Sequence, residues 1–135
     1  MEEKIVYEEL YSLQDKILKI IFSLDNNFYL TGGTALHRFY LGLRYSDDLD
    51  FFISNDTLFA ENINEFLDKL HESGLKYNRT VQSKDFQRII VDDKLQLDFV
   101  NDHSIRYGKS VLKSDFKIDN IMNILSNKLS AIADR

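Results

Sequence analysis

At 135 residues the chain has the length of one domain and can bury a core without covalent staples. It has no cysteine, which excludes disulfides and thiolate metal sites. Its net charge of −5 argues against binding nucleic acid mainly through a broad basic surface. The acidic opening Met1-Glu2-Glu3-Lys4 is not a secretory signal, and no apolar run reaches membrane-spanning length. With no proline, linker or repeat, a single cytoplasmic domain without a membrane partner is expected.

Residues from about Glu3 to Ser23 carry an apolar stripe at helical spacing: Ile5, Leu10, Leu13, Ile17, Ile20, Ile21 and Leu24. Asp25-Asn26-Asn27 is a turn signal, and Phe28 to Thr31 reads as a short strand running into Gly32-Gly33. Thr34 is a plausible N-cap for a helix whose apolar face is Leu36, Phe39, Tyr40 and Leu43, stopping near Gly42. Leu49 to Ile53 is a second strand. Phe59, Ile63, Phe66, Leu67 and Leu70 define another helix, ended by Ser73-Gly74, with His71 exposed. Three strand-like pieces follow, Leu75–Gln82, Phe86–Val91 and Lys94–Val100, the last two joined by an Asp92-Asp93 turn. Asn101 to Ser114 reads as loop, with room for a short strand around Ile105 and a surface position for His103. From Asp119 or Asn120 a final helix turns Ile121, Ile124, Leu125, Leu129 and Ile132 toward the core. The fold class is α/β (α+β), a small mixed sheet flanked by helices.

Asp48 and Asp50 interrupt an aromatic strand, although acids are poor strand formers. Residues two apart share a face, roughly 7 Å from each other along the strand, and two like charges there call for a cation. Asp98 lies between Leu97 and Phe99 in the same manner. Antiparallel pairing of its strand with Leu49–Ile53 would bring a third carboxylate to the same place. Gly32-Gly33 at a helix start offers backbone amides to an anion. Taken singly, the glycines fit an ordinary turn and the acids two solvated side chains. Together, at this spacing, they fit a metal–phosphate ligand.

Gly32-Gly33-Thr34, followed by Arg44-x-Ser46-x-Asp48-Leu49-Asp50-Phe51, resembles the AbiEii/AbiGii abortive-infection toxin family of DNA polymerase β-like nucleotidyltransferases. Asn127-Lys128-Leu129-Ser130-Ala131-Ile132, with Arg135, is similar to that family's Lys-x-x-Ala segment. The resemblance covers the chain from Phe28 onward. It implies a nucleotidyltransferase fold and transfer of a nucleoside monophosphate from an NTP to a hydroxyl. It further implies two Mg²⁺ ions, with Mn²⁺ as a substitute, held by Asp48, Asp50 and Asp98. Gly32, Gly33 and Thr34 would cradle the triphosphate, Ser46 would support that end of the site, and Lys128 would reach a phosphate or the base. Arg44 would have a structural or phosphate role. The acceptor would be RNA, tRNA first, or a protein side chain, in a toxin–antitoxin or abortive-infection system with an antitoxin partner. Family members continue into a helical second half that this chain, ending at Asp134-Arg135, is expected to lack.

Other readings explain less. No Gly-Lys-Ser/Thr follows the glycines, against a P-loop, and the aspartate strand lacks the central glycine of a calcium loop. A metal-dependent nuclease built on Asp50 and Asp92-Asp93-Lys94 leaves Gly32-Gly33-Thr34 unexplained. The non-enzyme alternative is a truncated, catalytically inactive nucleotidyltransferase fold that binds or regulates.

Overall fold

Helix α1 spans Glu2–Ser23 and lays Leu13, Ile17, Leu18 and Ile21 on the core, while Leu10, Ile20 and Leu24 are only partly covered. The buried stripe therefore takes in Leu18, which lies off the expected one, and the fully buried polar Gln14. The computed structural model describes residues 2–43, 47–104, 106 and 108–133, and the side chains among them from 8 to 129. Ile5 and Ile132, Arg44 and Ser46, the stretch at Ile105, and Arg135 thus lie outside what is described.

After α1 come β1 (Tyr29–Thr31) and helix α2, one turn at Gly32–Thr34 continued at the wider π-helical pitch through Ala35–Tyr40. Thr34 is inside this helix rather than its N-cap, because the helix already opens at Gly32 with Thr31 as the capping position. Gly42, at φ +65°, lets the Leu43 amide close on the His37 carbonyl, a left-handed stop that leaves Leu43 exposed rather than on the apolar face. Then follow β2 (Leu49–Ser54), α3 (Phe59–Glu72), β3 (Tyr77–Gln82), β4 (Phe86–Val91), β5 (Leu95–Asp102), β6 (Val111–Lys113), β7 (Phe116–Ile118) and α4 (Ile121–Ala133). The expected apolar positions of α3 are all buried.

Among the described residues the strands form one mixed sheet in the order β3-β4-β5-β2-β1-β7-β6. β2 pairs β5 in parallel, not antiparallel as expected, with Asp50 in register with Asp98. Helix α3 carries the chain back between β2 and β3, and the β3–β4 and β4–β5 reversals return β5 to the direction of β2. Leu49, Phe51, Ile53, Ile89, Val91, Leu95, Leu97 and Phe99 alternate onto the face that packs against α1 and α3. There Phe99 stacks on Phe51 at 5.2 Å and meets Phe28 and Phe66 edgewise or tilted. Each such ring contributes about 1.5–3 kcal/mol on burial. The opposite face carries Asp50 and Asp98, half-buried.

Two turns bear positive φ at both central residues, Asp92-Asp93 and Ser114-Asp115, the primed geometry that suits a tight hairpin. The second joins β6 to β7; β6 lies in the stretch expected to be loop, and β5 itself runs on through Asp102. Helix α4 also departs from expectation. Ile124 and Asn123 are buried, whereas Ile121, Leu125 and Leu129 are 43%, 43% and 67% exposed. The helix packs beside α2, and of its described apolar stripe only Ile124 enters the core. Among the described residues no helix is long and apolar enough to cross a membrane.

Candidate active site

The site begins at the end of β1, where Thr31 pairs with Asp50 of β2 and the chain turns into α2 at once. Gly32 sits at φ +77°, and a Cβ there would collide with the Asp50 carboxylate. Both facts require glycine. Gly33 has no such backbone demand, and a Cβ on it would come 4.0 Å from Lys128 Nζ. The buried Thr34 hydroxyl donates to the Asp48 carbonyl, tethering the start of β2 to α2. Gln14 donates to the Asp47 carbonyl at 3.2 Å and accepts from Arg38, which also pairs with Asp15 at 2.6 Å. The segment leading to Asp48 is thus held from both helices.

Asp50 and Asp98 face the same side of the sheet on adjacent parallel strands, and Asp48 stands at the open end of β2. Burial, with Asp98 and Asp48 adding repulsion, pushes the Asp50 carboxyl up to about 6; Lys128 and Arg88 pull it partly back. Partial burial, then Asp98 and Asp47, raises Asp48 as well. Three carboxylates therefore share one negative field, as a cation site requires. Arg88 on β4 stands directly opposite Asp98 and holds it with two bonds, Nε to Oδ1 at 2.8 Å and Nη2 to Oδ2 at 3.1 Å. Those bonds raise the Arg88 pKa. Among the described residues no three His, Cys, Asp or Glu side chains are gathered closely enough to enclose a metal ion. The donors are all oxygen, which suits Mg²⁺, but they do not stand as a closed cage.

A second cluster supports the turn from beneath. Asp119, fully buried at the end of β7, accepts from Thr31 Oγ1 at 2.8 Å, Arg106 at 2.7 Å and Asn123 Nδ2 at 2.7 Å. Its own amide donates to the Leu30 carbonyl. Arg106 also lies 4.2 Å over the Tyr29 ring. Asn120 caps α4, accepting from the Asn123 amide at 2.8 Å.

Of the residues expected at the site, Gly32, Gly33, Asp48, Asp50, Asp98 and Lys128 come together. Thr34 lies in the same turn, its hydroxyl donating to the Asp48 carbonyl. Ser46 lies outside the described residues. His103 is at the far end of β5 from Asp98, paired with Asp85 at 3.0 Å. Arg88 and Asp119 were not anticipated. Arg88 left a faint signal, a cation within an otherwise largely apolar strand next to that of Asp98. Asp119 left only an acid immediately after an apolar strand.

This sheet, with its glycine turn and aspartate pair, defines the polymerase β-like nucleotidyltransferase fold. The chain superposes on JHP933 from Helicobacter pylori with a TM-score of 0.72 at 21% identity, over 93% of this chain and 56% of that one. It also superposes on the Megavirus polyadenylate synthase with a TM-score of 0.62 at 20% identity, over 97% of this chain and 26% of that one. It thus spans little more than half the length of the first and about a quarter of the second. No curated protein matches by sequence. The model of the nucleotidyl transferase AbiEii toxin family, Type IV TA system, matches residues 16–127, and the chain belongs to that family.

Proposed function

We propose that this chain carries the catalytic domain of a metal-dependent nucleotidyltransferase, moving a nucleoside monophosphate from an NTP to a hydroxyl of RNA, tRNA first, or of a protein. Its place would be the cytoplasm, as the toxin of a toxin–antitoxin pair with an antitoxin partner. The observation that carries the reading is the meeting of Asp50, aligned with Asp98, with the Gly32 turn and the Lys128 ammonium. Asp48, Asp50 and Asp98 would hold two Mg²⁺ ions, or Mn²⁺. When bound, such ions neutralise phosphate charge and acidify an attacking hydroxyl. Amides at the Gly32–Gly33 start of α2 would hold phosphate oxygens, and Lys128 would add a charged contact to them. Catalysis of this kind is mostly positioning and charge compensation.

One observation favours a second reading, an inactive fold that binds without turnover: Asp98 is held by Arg88 rather than standing free for a metal. Incubation with labelled NTPs, Mg²⁺ and either total RNA or lysate protein separates the two. Transfer of label that is lost in Asp50→Asn is the outcome expected of the enzyme. NTP binding with no labelled product would establish the scaffold instead. Asp48→Asn combined with Asp50→Asn should abolish most of the rise in Tm that Mg²⁺ with NTP gives the wild type.

A further inference from the structure

We propose, on the metal-site reading above, that Arg88 is a positioning residue that competes with the metal for Asp98. It holds the third carboxylate while the site is unloaded and yields it as the site loads. Arg88 and Asp98 are cross-strand partners on β4 and β5, so their backbones are fixed opposite each other. The guanidinium takes both oxygens of the carboxylate, at 2.8 Å and 3.1 Å. Gln96 adds only a long contact to Oδ2 at 3.4 Å. The fork takes one lone pair on each oxygen and neutralises the carboxylate's charge, so a metal approaching Asp98 competes with the guanidinium for the same group. Metal binding by Asp98 is therefore weakened for as long as both Arg88 bonds hold.

The arrangement allows those bonds to open. The Arg88 side chain is 38% exposed, against 15% for Asp98. Its guanidinium also lies 5.5 Å from the Phe86 ring on the same strand, a contact that does not depend on Asp98. Asp98, by contrast, is confined between neighbouring strands beside Asp50. The arginine is the partner with freedom to leave. Such a counter-ion keeps three crowded carboxylates from repelling one another before loading, and it makes metal affinity depend on the arginine's release.

A double-mutant cycle on Mn²⁺ affinity, measured by electron paramagnetic resonance without NTP, tests this. Arg88→Gln should tighten Mn²⁺ binding by about ten-fold, the scale of a lost charge-assisted competitor. Arg88→Lys, which keeps the charge but not the fork, should tighten it less. In an Asp98→Asn background Arg88→Gln should change nothing, because no carboxylate remains to contest. Equal tightening in that background would mean that Arg88 acts only through its field, and would overturn the proposal. So would unchanged affinity in Arg88→Gln, with circular dichroism confirming that the variant folds. Failure of the site reading looks different. If Asp50→Asn binds Mn²⁺ as the wild type does, the metal lies elsewhere and this role for Arg88 falls with it. As a readout independent of the variants, the ¹⁵N resonance of Arg88 Nε–H should shift on Mg²⁺ addition to the wild type; a resonance that ignores a saturating ion would count against release.

Discussion

At the scale of single residues, Asp50 is a carboxylate placed where the fold disfavours its charge. Its pKa stands at about 6 against 3.8, through burial first and then Asp98 and Asp48. Between those values the folded chain holds a proton that the unfolded chain has released. Stability from this group is therefore greatest below about pH 4, falls as pH rises to 6, and is level above. Some two units correspond to about 3 kcal/mol as an order of magnitude, similar to what burial of the adjacent Phe51 contributes. Asp50→Asn should accordingly raise the Tm of the metal-free protein at pH 8, and the gain should shrink toward pH 4. A Tm series across that range checks it, and an equal gain at every pH would refute the assignment. The two glycines next to Asp50 are not equivalent. Gly32→Ala meets both a left-handed backbone and the carboxylate, and should lower Tm by about 5 °C or more. Gly33→Ala meets only an ordinary contact and should be tolerated. Thermal scans of the pair would expose the error if the two behaved alike.

At the scale of elements, Lys128 shows how a site residue can be placed for a reason other than the expected one. The final helix was to pack its apolar stripe on the sheet, with Lys128 at the border of that face. Instead Leu125 and Leu129 are exposed, and the helix is held at its start by Asn120, Asn123 and Asp119. Lys128 still reaches Gly33 because α4 crosses beside α2. Lys128→Ala should weaken NTP binding by about ten-fold, with little change in ligand-free Tm, since its side chain is exposed. An NTP titration of the two proteins decides it. The elements legible in the sequence were those whose burial follows period: α3 shows every expected core position, and β4 and β5 alternate cleanly. What escaped has local causes. The β6–β7 hairpin is three residues a side around Ser114-Asp115, which lacks the usual Asn-Gly signal. The π pitch of α2 leaves no mark in a 3.6-residue period. The parallel β2–β5 pairing depends on counting reversals through β3 and β4, which no single segment records. The aspartates were legible because charge inside an aromatic strand needs a reason; Arg88 was not, because its partner is fixed by register.

At the scale of the whole molecule, the sheet has two parts that meet at β1. On one side β2, β5, β4 and β3 carry the carboxylates over the core built with α1 and α3. On the other, β7 and β6 lead into α4 and Lys128. β1 joins β7 through one register pair, Leu30 with Ile118, supported by the Asp119 amide on the Leu30 carbonyl. The Asp119 carboxylate then binds Thr31 of β1, Arg106 of the preceding loop and Asn123 of α4. It is the fastening between the two sides of the site. Asp119→Ala would leave Arg106, only 16% exposed, without its counter-charge, and would remove the carboxylate to which Thr31 and Asn123 donate. Breaking a buried pair from one side costs about 3–5 kcal/mol, so urea denaturation should show a loss of that order. The loss should not be uniform. Native-state hydrogen exchange should quicken in β7 and the first turns of α4 while β4 and β5, deep in the aromatic core, keep their protection. Since Lys128 rides on α4, NTP affinity in Asp119→Ala should fall at temperatures where the core is still folded. Uniformly faster exchange, or exchange unchanged in β7, would show that Asp119 does not fasten these parts and that α4 is held by some other contact.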